Sequence, residues 1–197
     1  MFHRNNMYTE FEATFPNIDR AALRKRLVRA GAKLQKGNYL MKRFTFNLPS
    51  GHEVPGAWLR VRDEGDRTTL SLKIINGQNI EDQKEICLAV DNFASAVELL
   101  EVIGARLKSY QENYREIWLL DDVEVCLDEW PYLEPFAEVE GLSEAAVKNA
   151  SSKLGLDYQQ ARFCAVTSLY QEKYALSEDR INNHTARITF SDPNPFI

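Results

Sequence analysis

Cysteine is scarce in this chain: its three copies, Cys87, Cys126 and Cys164, are odd in number, widely spaced and free of any Cys-x-x-Cys. That argues against a disulfide framework or a zinc site and suits the reduced thiols of a cytoplasmic protein. No apolar run approaches the roughly 20 residues needed to span a bilayer, and Met1 to Met7 is too polar for a signal peptide. A membrane partner is therefore not expected. An excess of basic charge is also missing. With a net charge of −5, broad attachment to nucleic acid or to an anionic surface is disfavoured, so any basic site must be concentrated. His3, His52 and His184 are scattered, and nothing pairs them with a nucleophile. There is no repeat, low-complexity tract or linker. A hydrophobic content of 44% in 197 residues supports one domain over 1–197, with its core at about 8–190 and a short flexible tail at 191–197.

What the chain does have is a set of short segments that alternate charged and apolar residues. In Tyr8 to Phe15, Glu10, Glu12 and Thr14 share one strand face and Phe11, Ala13 and Phe15 the other. In Phe136 to Glu140, Glu138 and Glu140 oppose Ala137 and Val139. Trp58-Leu59-Arg60-Val61-Arg62 has the same form with the sign reversed. Leu70, Leu72 and Ile74 oppose Ser71 and Lys73, and Asp63-Glu64-Gly65-Asp66 supplies the turn before them. Ile86, Leu88 and Val90 oppose Glu85 and Cys87. Val123, Val125 and Leu127 oppose Glu124, Cys126 and Asp128. Extended segments are also predicted for Leu34 to Leu48 and Lys108 to Leu120.

Helical spacing appears between these groups. Asp19 or Asn17 can cap a helix containing Leu23, Leu27 and Ala30 that stops at Gly31. Its other face, with Arg20, Arg24, Lys25, Arg26 and Arg29, reads as solvated. Asp91 is expected to cap a second helix and Ser143 a third. Another amphipathic segment is expected from about Gln159 to Tyr174, followed by a short strand at Ala186 to Phe190. Strands with helices inserted between groups of them indicate an antiparallel α+β domain. One such strand alone would ordinarily turn its charged face to water. Gathered in one interior, these acids and bases would make a site for an anion and its divalent metal.

Taken together, Glu10-x-Glu12, Arg60-x-Arg62, Lys73, Arg115, Asp128 and Glu138-x-Glu140 resemble the CYTH family of triphosphate tunnel metalloenzymes in order and spacing. The resemblance implies a closed eight-stranded antiparallel β-barrel whose charged interior is a tunnel and whose apolar outer face carries the helices. It implies a small-molecule triphosphate partner such as ATP, tripolyphosphate or thiamine triphosphate, held by Arg60, Arg62, Lys73 and Arg115, with Tyr170 as an additional contact. It also implies Mg2+ or Mn2+ on Glu10, Glu12, Glu85, Asp128, Glu138 and Glu140. Glu12, Arg115 and Asp128 are the catalytic candidates.

Such a chain would be a monomer or a homodimer. Its expected activity is triphosphate hydrolysis, with class IV adenylyl cyclisation or binding without turnover as alternatives. Binding alone is suggested by Thr14, which stands where the family usually has lysine. Asn113 likewise stands in place of a frequent lysine, and Cys87 in place of a second acid. Glu85 also reads as an ion-pair partner for a tunnel cation. For Trp130 and the aromatics from Trp58 to Tyr132, packing in the core or at a rim is the expected role, ahead of stacking on a base.

Overall fold

A computed structural model describes residues 7–197; His3 and the polar N-terminus through residue 6 lie outside the described residues. Among the described residues ten strands and five α-helices alternate. In chain order the strands are β1 (Tyr8–Thr9), β2 (Phe11–Phe15), β3 (Lys33–Asn47), β4 (Ala57–Asp63), β5 (Thr68–Ile75), β6 (Gln83–Val90), β7 (Arg106–Leu120), β8 (Val123–Glu129), β9 (Phe136–Gly141) and β10 (Arg187–Ile188). The helices are α1 (Arg20–Arg29), α2 (Phe93–Val102), α3 (Glu144–Lys153), α4 (Val166–Tyr174) and α5 (Glu178–Asn183).

The sheet runs β1-β6-β5-β4-β3-β7-β8-β9-β2. Only Glu10 separates β1 from β2, so the same stretch of chain pairs with β6 at one end and β9 at the other. The sheet thereby closes almost completely, leaving few strand edges free to pair. With β1 and β2 taken as one interrupted strand and β10 set aside, the barrel has the eight strands expected. β10 adds a short parallel pairing onto β7.

Closure works because each strand has two chemically different faces. The outward residues Ala13, Val123, Val125, Leu127, Ala137 and Val139 pack with Leu23 and Leu27 of α1 and Val147 and Ala150 of α3. Burial of each large aliphatic side chain contributes about 1.5–3 kcal/mol, which stabilises the barrel from outside while leaving its interior polar. α2 covers Phe46 and Val61 through Ala96 and Leu100. At one end α4 and α5 pack Leu169, Tyr170 and Ile181 against Trp130 and Phe136.

The helix starts follow capping chemistry. Asp19 accepts a hydrogen bond from the Ala22 amide at 3.0 Å, and Ser143 accepts one from Ala146 at 3.2 Å. At α2 the cap is Asn92 rather than the expected Asp91; its side chain accepts from the Ser95 amide at 2.9 Å. Gly56, at the entrance to β4, has φ +72°, and a Cβ there would lie 2.0 Å from the Ile75 carbonyl oxygen. This close approach sets the start of the strand that carries Trp58, Arg60 and Arg62.

Four expectations are corrected. The basic face of α1 is not simply solvated: Arg24 makes three bonds to Glu116, at 3.1 and 2.9 Å through Nε and 2.7 Å through Nη2, and Arg20 lies 2.6 Å from Glu129. Glu116 sits on the outward face beneath the helix, and a buried carboxylate there requires cationic partners. The segment from Gln159 to Tyr174 is not one helix. A 3-10 turn at Tyr158–Gln160 is followed by extended chain, in which Arg162 exchanges backbone hydrogen bonds with Thr14 before α4 begins. Only Arg187–Ile188 of the expected 186–190 strand pairs. Finally, 191–197 is not a loose tail, because Phe196 is buried with its ring centroid 4.6 Å from that of Tyr170 and 5.1 Å from that of Tyr174.

Candidate functional site

The barrel encloses a cavity of about 1400 Å³, lined by Glu10, Glu12, Arg60, Arg62, Lys73, Glu85, Arg115, Glu138 and Glu140 among others. Strand parity accounts for this: the partners that alternate with these residues, such as Ala13, Val61 and Val139, are the ones buried under the helices. Charge is segregated around the circumference. β5, β4, β3 and β7 contribute Lys73, Arg60, Arg62, Arg43 and Arg115, whereas β8, β9 and β2 contribute Glu124, Glu138, Glu140 and Glu12.

Most of the cations have carboxylate partners. Arg60 lies 2.9 Å from Glu85, Arg62 2.6 Å from Glu64, and Lys73 2.7 Å from Glu10. Arg115 bonds both oxygens of Asp128, at 2.9 Å through Nε and 2.6 Å through Nη2, and also pairs with Glu138. Burial opposes ionisation of Glu138, yet the charge of Arg115 holds its carboxyl below the usual range.

The acidic wall is under like-charge stress. Glu12 lies directly across from Glu140, and Glu140 across from Glu124, on three adjacent strands. Like charges in direct register repel. Burial, followed by the charge of Glu138, pushes the Glu12 carboxyl up to about 8. Burial with the charge of Glu10 lifts Glu140 to about 7. Burial likewise lifts Glu10 to about 8, although Lys73 pulls in the other direction. Glu85 behaves oppositely: burial would raise it, but its hydrogen bond with Glu10 and the charge of Arg60 hold it low. Between Glu10 and Glu85, the proton belongs to Glu10.

Two sequence-derived candidates do not reach the cavity surface. Tyr170 is fully buried, and its hydroxyl donates to the Pro131 carbonyl at 2.8 Å, so it packs in the end cluster rather than facing an anion. Tyr170→Phe is expected to lower stability by about 1 kcal/mol, the usual net worth of one hydrogen bond, and to leave triphosphate affinity within twofold in a titration. A larger affinity loss without a stability change would return Tyr170 to the site. Asp128 is also fully buried; its oxygens are occupied by Arg115 and by Asn113 Nδ2 at 2.7 Å, placing it behind the lumen surface. Burial lifts its carboxyl to about 6 even against the charge of Arg115.

Other residues at the site were missed. Glu64, read as part of a turn, is buried and joins Arg62 to Arg67. Glu124 extends the acidic row. Arg43, Thr45 and Asn47 line the cavity from β3; their alternation with Phe44 and Phe46 was the available signal. Trp58 and Trp130 also line it, while Tyr132 turns its hydroxyl to the Thr189 carbonyl at 3.1 Å.

The CYTH domain family model matches residues 52–168, more than half of the chain. The chain belongs to the CYTH family. No curated protein matches it. A Pyrococcus horikoshii protein of 21% identity superposes with a TM-score of 0.69 over 81% of this chain and 98% of its own. A candidate adenylate cyclase from Vibrio parahaemolyticus, 13% identical, gives 0.70 over 83% and 98%. A candidate adenylyl cyclase from Hippeastrum, described as having a dominant triphosphatase activity, is 14% identical and gives 0.53 over 84% and 96%. These likenesses bear on the fold, which is the CYTH tunnel. Within it, Thr14 is buried opposite Glu138, and Asn113 is fully buried between Arg43 and Asp128. No helix among the described residues is long and apolar enough to cross a membrane.

Proposed function

We propose that this CYTH tunnel binds a triphosphate-containing small molecule together with Mg2+ or Mn2+ and hydrolyses it. One observation carries the reading: the basic wall and the acidic wall face a common lumen, so an anion and its counter-cation each have a side of their own. Arg60, Arg62 and Arg115 would meet phosphate oxygens with paired, charge-assisted hydrogen bonds, and Lys73 would act as a point charge.

The acidic wall fits a hard divalent cation. Among the described residues no group of three or more Asp, Glu, His or Cys side chains forms a ready-made metal cage. Magnesium, however, is ordinarily held by one or two carboxylates, several waters and substrate phosphate. Glu10, Glu12, Glu138 and Glu140 would hold it; burial, with like-charge repulsion added, raises the proton affinity of Glu10, Glu12 and Glu140, and a bound cation would offset that repulsion. When bound, the metal would neutralise charge developing on the phosphoryl oxygens. Glu85 and Asp128 would orient Arg60 and Arg115 toward the phosphate chain. A Glu12 carboxylate oxygen left free by the cation would accept a proton from the attacking water.

The test is product analysis with Mg2+ or Mn2+ on tripolyphosphate, thiamine triphosphate and ATP. Orthophosphate release is the expected result. Cyclic AMP with pyrophosphate would replace hydrolysis by cyclisation, and metal-dependent binding without product would reduce the protein to a binding module. Absence of both binding and turnover would overturn the reading.

A further inference from the structure

Arg43 differs from the other cations of the lumen. It is 5% exposed, yet no carboxylate among the described residues forms an ion pair with it. One Nη donates to the neutral Oδ1 of Asn113, Nε has no partner, and the guanidinium carbon lies 4.5 Å from the centre of the Trp130 ring. Across the β3–β4 ladder it stands directly opposite Arg62. A buried charge without a counter-ion is costly, and like charges in register add to that cost. Burial, with the charges of Arg62, Arg60 and Arg115, accordingly works against the charged form of Arg43. A guanidinium does not escape by losing its proton. The charge of Asp128 favours the cation, but it reaches Arg43 only across the neutral Asn113, so the guanidinium keeps bonding capacity for a further anion.

The surroundings of Arg43 also explain why Asn113 is tolerated in this tunnel. Asn113 accepts from Arg43 and donates to Asp128 at 2.7 Å, a neutral link between a cation on β3 and an anion on β8. A lysine at 113 would place a second positive charge against Arg43. The two positions therefore have room for one cation between them, and in this chain it resides on β3.

Resting on the triphosphate reading above, we infer that Arg43 is a phosphate-binding residue of this tunnel, supplying from β3 the positive charge that position 113 on β7 does not carry. Arg43→Gln removes the charge while keeping a donor for Asn113, and Arg43→Gln/Asn113→Lys returns the charge on the neighbouring strand. The readout is affinity for tripolyphosphate with Mg2+ by calorimetry, alongside the melting temperature. The expected result is a loss of affinity of at least tenfold in Arg43→Gln, with recovery to within about threefold of the parent in the double variant. Unchanged affinity in the folded Arg43→Gln protein would overturn the inference and leave the triphosphate reading standing. Failure of the folded double variant to recover would assign Arg43 a structural role instead. If Arg43→Gln does not fold, Arg43→Lys decides: affinity within about threefold of the parent supports the charge assignment, and a tenfold loss rejects it. A parent that binds no tripolyphosphate or other triphosphate would remove both readings together.

Discussion

Replacing Arg115 with methionine is expected to destabilise the protein by about 3–5 kcal/mol, the range for removing one partner of a buried ion pair. Arg115 bonds both oxygens of the fully buried Asp128 and also pairs with Glu138, so its loss strands two carboxylates in the barrel wall. Adding Asp128→Asn should recover a large part of the loss, because one of the stranded charges is then gone. Urea unfolding would read both effects as shifts in midpoint. A destabilisation below about 1 kcal/mol in the single variant, or no recovery in the double, would mean that Arg115 is solvated rather than held in this cluster.

Glu12→Gln and Glu140→Gln should act in opposite directions on stability and on ligand binding. In the metal-free protein the folded pKa values of about 8 and about 7 lie above the ordinary 4.5. The folded state therefore holds more protons than the unfolded state between these values, and stability present below about pH 4.5 is lost as pH rises through 7 to 8. Each amide variant should consequently be more stable than the parent at pH 8, on the order of 1–2 kcal/mol, and should match it at pH 5. Metal-dependent triphosphate affinity should fall at least tenfold in each, since a ligand oxygen of the acidic wall has been neutralised. Thermal melts of the metal-free proteins at the two pH values, with titrations of the metal–triphosphate pair, check this. Variants less stable than the parent at pH 8 would contradict the like-charge description of the Glu12–Glu140–Glu124 row.

Much of this architecture was legible because side-chain direction in a strand has period two. Glu10 with Glu12, Arg60 with Arg62, and Glu138 with Glu140 share faces in any extended conformation, and their apolar alternates must then be covered. What alternation does not indicate is which face is inside. Glu116 obeys the same alternation yet lies outside the barrel, beneath α1, where Arg24 holds it. Its role depends on a helix that is distant in sequence. Tyr170 has the composition of a site residue, but its hydroxyl is claimed by Pro131 because α4 closes one end of the barrel. Arg43 was overlooked for the opposite reason. Its neighbours two residues away on the strand, Met41 and Thr45, are uncharged, so no second charge marks the face.

The sequence by itself determined the strand faces, the helix cap at Ser143, the tunnel motif and the family, and narrowed the first cap to Asp19 or Asn17, because these depend on spacing along one segment and on local hydrogen bonding. The tertiary structure decided which charges are partners. Arg60 is held by Glu85, Arg62 by Glu64 and Lys73 by Glu10, whereas Arg43 faces Arg62 with no carboxylate of its own among the described residues. Those pairings follow from strand order and register, which are set when β1 joins β6 and β2 joins β9. Coulomb energy falls with distance and dielectric, so the chemistry of each charge depends on neighbours brought together only when the barrel closes.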